Sequence, residues 1–161
     1  MKKRIFCFLS LLLISGAAHA EPDSGSSELE LFGNYTNRDG DNSLYASVAY
    51  GYYFNSQVRW TLGLSAFGSD AGGSSDITVG ARTGVAYHFS PRGNTAYVSG
   101  NLYVLDIEEA SDTVAVDAFL GYRSYLNETT ALSYEIGYRT YFEDLIDDEV
   151  VANFGIVFLF D

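Results

Sequence analysis

The sequence predicts an all-β fold, an eight-stranded antiparallel up-and-down transmembrane barrel, and three observations predict it. Apolar and polar residues alternate with a period of two, the spacing that sends successive side chains to opposite faces of a strand. The alternating segments number eight, and at about 9 to 13 residues each is long enough for a tilted strand to cross a bilayer. In all eight, one face is apolar and uncharged, and every charge within a segment falls on the other. No stretch after residue 20 is apolar enough, for long enough, to cross as a helix.

The first element is an export signal. Lys2, Lys3 and Arg4 precede an apolar run over residues 5–14, and Ala18-His19-Ala20 puts small residues at positions −3 and −1 of a cleavage site. The run is too short to remain as a membrane anchor. Residues 1–20 are therefore expected to be removed, leaving residues 21–161 as one barrel domain. Cys7, the only cysteine, leaves with the signal, so the mature chain has no thiol chemistry.

The strands are expected at 28–36, 43–54, 58–67, 77–89, 95–105, 113–125, 131–142 and 150–160. Tight spacers at 55–57, 90–94 and 126–130 alternate with mostly longer polar ones at 37–42, 68–76, 106–112 and 143–149. Short turns at one end and longer loops at the other describe an up-and-down barrel. With the amino end inside, the tight turns would be periplasmic and the loops extracellular.

A soluble carrier barrel also alternates, so sidedness decides. In the fourth segment Ile77, Val79, Ala81, Thr83, Val85, Tyr87 and Phe89 oppose Thr78, Gly80, Arg82, Gly84, Ala86 and His88. The apolar face is bulky and aromatic, and the polar face is small, with Gly51, Gly63, Gly80, Gly84, Gly121, Gly137 and Gly155 all on it. An eight-stranded lumen is just wide enough for side chains, so small polar residues fit inward and the greasy face meets lipid. A carrier needs the reverse. Aromatic residues of the apolar face, among them Tyr52, Trp60, Tyr87, Tyr122 and Tyr134, gather near the tight turns, where such rings favour a membrane interface.

The last segment reads Asn153-Phe154-Gly155-Ile156-Val157-Phe158-Leu159-Phe160. It resembles the carboxy-terminal assembly signal of bacterial outer-membrane proteins, with Asn153, Gly155, Phe158 and Phe160 in the marked places; Asp161 departs from a pattern that usually ends on the aromatic. The mature chain resembles, in architecture, the small eight-stranded barrels of the OmpA transmembrane domain and OmpX kind. That resemblance implies delivery by periplasmic chaperones and insertion into the outer membrane by its assembly machinery.

The mature chain carries six arginines and no lysine against 21 acids, a net charge of −15, which argues against nucleic acid as a partner. Glu28, Glu30, Arg59, Arg82, Asp117, Arg123, Glu135 and Arg139 fall on the lumen face, four acids and four bases. Such a balance in a narrow interior predicts paired charges that plug the lumen and fix the register, since an unpaired buried charge is costly. Counting from the tight turns places Asp117 level with Arg139 and brings Arg123 close to Glu135. A gated ion path is the functional alternative.

The loops hold 13 acids: Asp39, Asp41, Asp70, Asp76, Asp106, Glu108, Glu109, Asp112, Glu143, Asp144, Asp147, Asp148 and Glu149. They read as a solvated face. Divalent cations bridging to lipopolysaccharide phosphates are the sharper alternative, although no calcium-loop spacing is present. With His88 as the one mature histidine, no metal or other cofactor is expected. His88-Phe89-Ser90 resembles the histidine and serine of barrels that trim lipid A, but His88 falls near the periplasmic end and no acid stands at an obvious partner position except Glu30 across the lumen. No catalytic residue is assigned. The reading is a monomeric, non-enzymatic envelope barrel with a structural or surface-interaction role, in contact with outer-membrane lipid and lipopolysaccharide. A narrow porin-like channel is the second reading, and a lipid-modifying enzyme the third.

Overall fold

The computed structural model describes residues 22–38, 41–71, 74–104, 106–107, 114–142 and 148–160. Residues 1–20, expected as the signal, lie outside them, as do the loop acids Asp39, Glu108, Glu109, Asp112, Glu143, Asp144 and Asp147 and the terminal Asp161. Eight strands follow in order: β1 (Ser27–Arg38), β2 (Asp41–Tyr53), β3 (Val58–Ala71), β4 (Ser74–His88), β5 (Thr95–Val104), β6 (Val114–Tyr125), β7 (Thr130–Tyr141) and β8 (Glu149–Phe160). Each pairs antiparallel with its sequence neighbour, and β1 pairs with β8 to close the barrel. From Ser27–Phe160 to Gly33–Phe154 the closing ladder gives both edges backbone partners, which lipid cannot offer.

Following the pairing from Phe160 through Ser27, Tyr52, Trp60, Val85, Gly100, Ala118 and Tyr138 returns to β8 at Val150, ten residues from the start. A stagger of that size on eight strands inclines them by about 40° to the barrel axis. Leu31, Val48, Leu62, Leu64, Val85, Leu120 and Ile136 lie exposed on the outer wall, whereas Glu28, Arg59, Arg82, Arg123, Glu135 and Arg139 are buried in the lumen. Around the tight-turn rim Phe54, Phe89 and Phe160 stand outward, and Tyr52 and Tyr87 meet Phe54 and Phe89 edge-on at ring separations of 5.6 and 5.8 Å.

Two expectations need correction. The strands near the loops run further than the alternation indicates: β3 continues to Ala71 and β4 begins at Ser74, so Asp70 and Asp76 are paired strand residues. The added residues, Gly68-Ser69-Asp70-Ala71 and Ser74-Ser75-Asp76, are small or polar throughout, so the pattern that marks a half-buried strand is absent while the ladder continues. Phe67, on the same parity of β3 as Arg59 and Ser65, stands 43% exposed where this extension begins.

Nor is the lumen lined only by small side chains. Phe32, Tyr45, Tyr53, Tyr97, Tyr103, Phe119 and Tyr125 are buried there. Room for them comes from glycines directly opposite in the ladder: Gly121 faces Tyr97, Gly137 faces Phe119 and Gly155 faces Phe32. A Cβ at any of the three would collide with the partner ring. The glycines mark where a large neighbour lies across them rather than where the lumen is empty.

Candidate functional site

The lumen holds the chemistry of the described residues, at two levels. At the tight-turn end, Glu28 and Glu30 stand two apart on β1 and so share its inner face. Gly51, opposite Glu28 on β2, leaves space for that carboxylate. Arg59 of β3 donates through Nη1 to both carboxylates. Arg123 of β6 reaches across the lumen and forks onto the same pair, with Nη1 2.6 Å from Glu28 Oε2 and Nη2 2.8 Å from Glu30 Oε1. Arg82 of β4 completes the group, its Nη2 3.4 Å from Glu30 Oε2. Tyr53 OH donates to Glu28 at 3.0 Å and accepts from Arg123 at 2.6 Å. Two carboxylates of one strand thus hold three guanidinium groups from three others.

Beneath this clamp lies Tyr97, whose ring carries Arg59 and Arg123 at 5.8 and 5.7 Å from its centroid. Its hydroxyl donates to Glu135 Oε1 at 2.8 Å and lies 2.8 Å from Ser133 Oγ. Glu135 also accepts from Asn153 Nδ2 at 3.4 Å, and Asn34 Nδ2 donates to Asn153 Oδ1 at 3.1 Å. At the loop end, Asp117 and Arg139 are register partners, bonded at 3.2 Å, and Asn101 Nδ2 donates to the other Asp117 oxygen at 2.6 Å. Arg139 lies 4.5 Å over the Tyr103 ring, and the Tyr103 hydroxyl bonds Ser65 and, at 3.4 Å, Tyr45.

Asp117 and Arg139 therefore meet, while Arg123 and Glu135 do not. Arg123 sits opposite Ser133 in the ladder, and its side chain is long enough to reach the two carboxylates on β1. Glu135 is left to neutral donors. Sequence reasoning did not single out Tyr97, Tyr53, Asn101 and Asn34, the polar links between the charged groups. The signal for Tyr97 was Gly121, its glycine partner in the next strand.

His88 stacks on Tyr97 with ring centroids 5.0 Å apart and sits 5.8 Å from Tyr53. Its Nε2 has no partner among the described residues. Ser90 Oγ donates to the Arg92 carbonyl at 3.0 Å, and Glu30 is bonded to three arginines, so His88, Ser90 and Glu30 do not form a relay. Among the described residues no group of three histidine, aspartate or glutamate side chains gathers to hold a metal ion. On β8, Asn153 and Gly155 face the lumen and Phe158 and Phe160 face outward, so the four residues that resemble the assembly signal divide between the two walls.

Taken together, the closed eight-strand ladder, the apolar outer wall and the ion-filled lumen define a small transmembrane β-barrel. No family model and no curated protein matches the chain. Among solved structures the chain is similar to the N-terminal β-barrel domain of Pseudomonas aeruginosa OprF, with a TM-score of 0.59 and 21% identity over 85% of this chain and 98% of that one. It is similar also to a de novo designed transmembrane β-barrel, with a TM-score of 0.59 and 17% identity over 87% of this chain and 99% of that one. The two likenesses show the fold, that of a small transmembrane β-barrel.

Proposed function

We propose that the chain is exported behind a cleaved signal at residues 1–20 and that residues 21–161 insert into the outer membrane as a monomeric barrel with a structural or surface-interaction role. Chaperones and the assembly machinery would deliver it, the latter reading Asn153, Gly155, Phe158 and Phe160. Its partners are lipid, lipopolysaccharide and whatever the acidic loops meet, not nucleic acid. The observation that carries the reading is the clamp: Glu28, Glu30, Arg59, Arg82 and Arg123 bridge the lumen from four strands and are almost wholly buried. A lumen filled by mutually bonded side chains suits a supporting post better than a pore or an active site.

Planar-bilayer recording of the pure protein tests this, with little steady conductance expected. Large steady conductance would instead favour a narrow channel, a reading to which the excess of three guanidinium groups over two carboxylates in the clamp gives some footing. A deletion strain examined for detergent sensitivity, permeability and surface binding separates the structural role from the interactive one. Unaltered lipid A after overexpression would leave the enzyme reading without support.

A further inference from the structure

The barrel is not equally well sealed around its girth. The β1–β8 ladder runs only from Ser27–Phe160 to Gly33–Phe154, although β1 continues to Arg38 against β2 and β8 continues down-chain to Glu149 against β7. Five residues on each side, 34–38 and 149–153, thus extend beyond the last pair of the seam. Phe154 stands six residues from Phe160, about 15 Å in height on strands inclined by about 40°, against an apolar band about 25 Å tall. The seam therefore ends inside the membrane, in the half nearer the loops. One side-chain bond spans it there among the described residues, Asn34 to Asn153 at 3.1 Å. Val150, Ala152 and Phe154 face outward on the β8 side.

We propose that this slot is a lipid-binding site, and that its occupant is an outer-leaflet glycolipid bearing amide-linked hydroxyacyl chains. The inference rests on the outer-membrane placement and adds the site and the class of lipid. A strand edge outside a ladder presents both N–H donors and C=O acceptors, and in hydrocarbon each needs a partner. Phospholipid ester linkages supply acceptors alone. An amide-linked hydroxyacyl chain supplies N–H and O–H donors as well as carbonyl acceptors at the same depth, and its hydrocarbon lies along the apolar wall formed by Leu31, Phe154 and Ile156. Behind the slot Asn34, Asn153 and Glu135 give the linkage a polar floor rather than a greasy one.

Hydrogen exchange on the full mature protein, in phosphatidylethanolamine–phosphatidylglycerol vesicles with and without added lipid A, tests it. Lipid A is expected to slow the amides of residues 34–38 and 149–153 about tenfold, leaving the β2–β3 ladder unchanged. Tyr35→Cys with Ala152→Cys, which the register would place opposite each other if the ladder continued, staples the slot shut; that variant should show slow exchange without lipid A and no further response to it. Asn34→Ala should widen the difference. Exchange in the wild-type slot that is indifferent to lipid A, or already slow in phospholipid alone, overturns the proposal while leaving the barrel in the membrane. Failure of the wild-type protein to enter vesicles, read from absent heat-dependent gel mobility, overturns the membrane reading and this one with it.

Discussion

The two ends of the lumen solve the same problem differently. At the loop end, one acid and one base on adjacent strands form a local pair, Asp117 with Arg139, set by the register of a single hairpin. At the tight-turn end, two acids on β1 bind three bases from β3, β4 and β6, so no single hairpin completes the group. The local pair can form as soon as β6 and β7 meet. The clamp is complete only when closure brings β6 across the lumen from β1, and until then Arg123 lacks the carboxylates that neutralise it. The first end is a hairpin fastener and the second couples charge neutralisation to closure.

Removing the β1 carboxylates should break that contrast most severely. Glu28→Gln with Glu30→Gln leaves three guanidinium groups buried without a carboxylate, and loss of one partner from a buried ion pair costs about 3–5 kcal/mol. The expected outcome is a barrel that does not close, seen as loss of heat-dependent gel mobility and of folding into vesicles. Arg123→Met alone should cost less, because Arg59 still bridges Glu28 and Glu30. If the doubly substituted chain folds as well as wild type, the clamp does not control closure.

The same contrast explains what the sequence reveals and what it hides. Period-two alternation is a local signal, so the eight strands and the outward set Leu62, Val79 and Ile136 are legible directly. The Asp117–Arg139 pair is legible because the tight turn between β6 and β7 sets that register. The partners of Arg123 are not, since they depend on the ten-residue stagger at which β8 meets β1, a junction with no connecting turn to count from. Tyr97 is not legible either, because only the register that sets it against Gly121 shows how so large a ring fits the lumen. The extensions of β3 and β4 escape because Gly68-Ser69-Asp70-Ala71 and Ser74-Ser75-Asp76 hold no apolar and polar alternation to read.

A steric change at the tight-turn end should rank next. Gly121→Val drives a side chain into the Tyr97 ring, beneath Arg59 and Arg123, and overpacking of this kind costs about 1–3 kcal/mol. Reducing the ring with Tyr97→Ala should return part of that loss in the double variant, a non-additivity measurable by urea titration in vesicles. Purely additive losses would mean that the two positions do not share the space. On the outer wall, Leu62→Arg places a charge on the lipid face between the two levels. Its expected cost of about 2–4 kcal/mol at the midplane falls on the whole barrel, so it calibrates the lumen variants without favouring either end.

The mildest effect should come from the loop end. Asp117→Asn removes the charge but keeps an acceptor for Arg139, which retains the Tyr103 ring beneath it. A hydrogen bond to a charged group contributes about 1.5–3 kcal/mol, and the asparagine keeps part of it, so the expected loss lies near the lower figure. The barrel should still close, with the same heat-dependent mobility and a lower urea midpoint. Arg139→Met should cost more than Asp117→Asn, since it strands a buried carboxylate with Asn101 as its remaining donor from this group. If either variant blocks closure as completely as loss of Glu28 and Glu30, the loop-end pair is not local after all, and the two ends of the lumen act as one network linked through Tyr97 and Glu135.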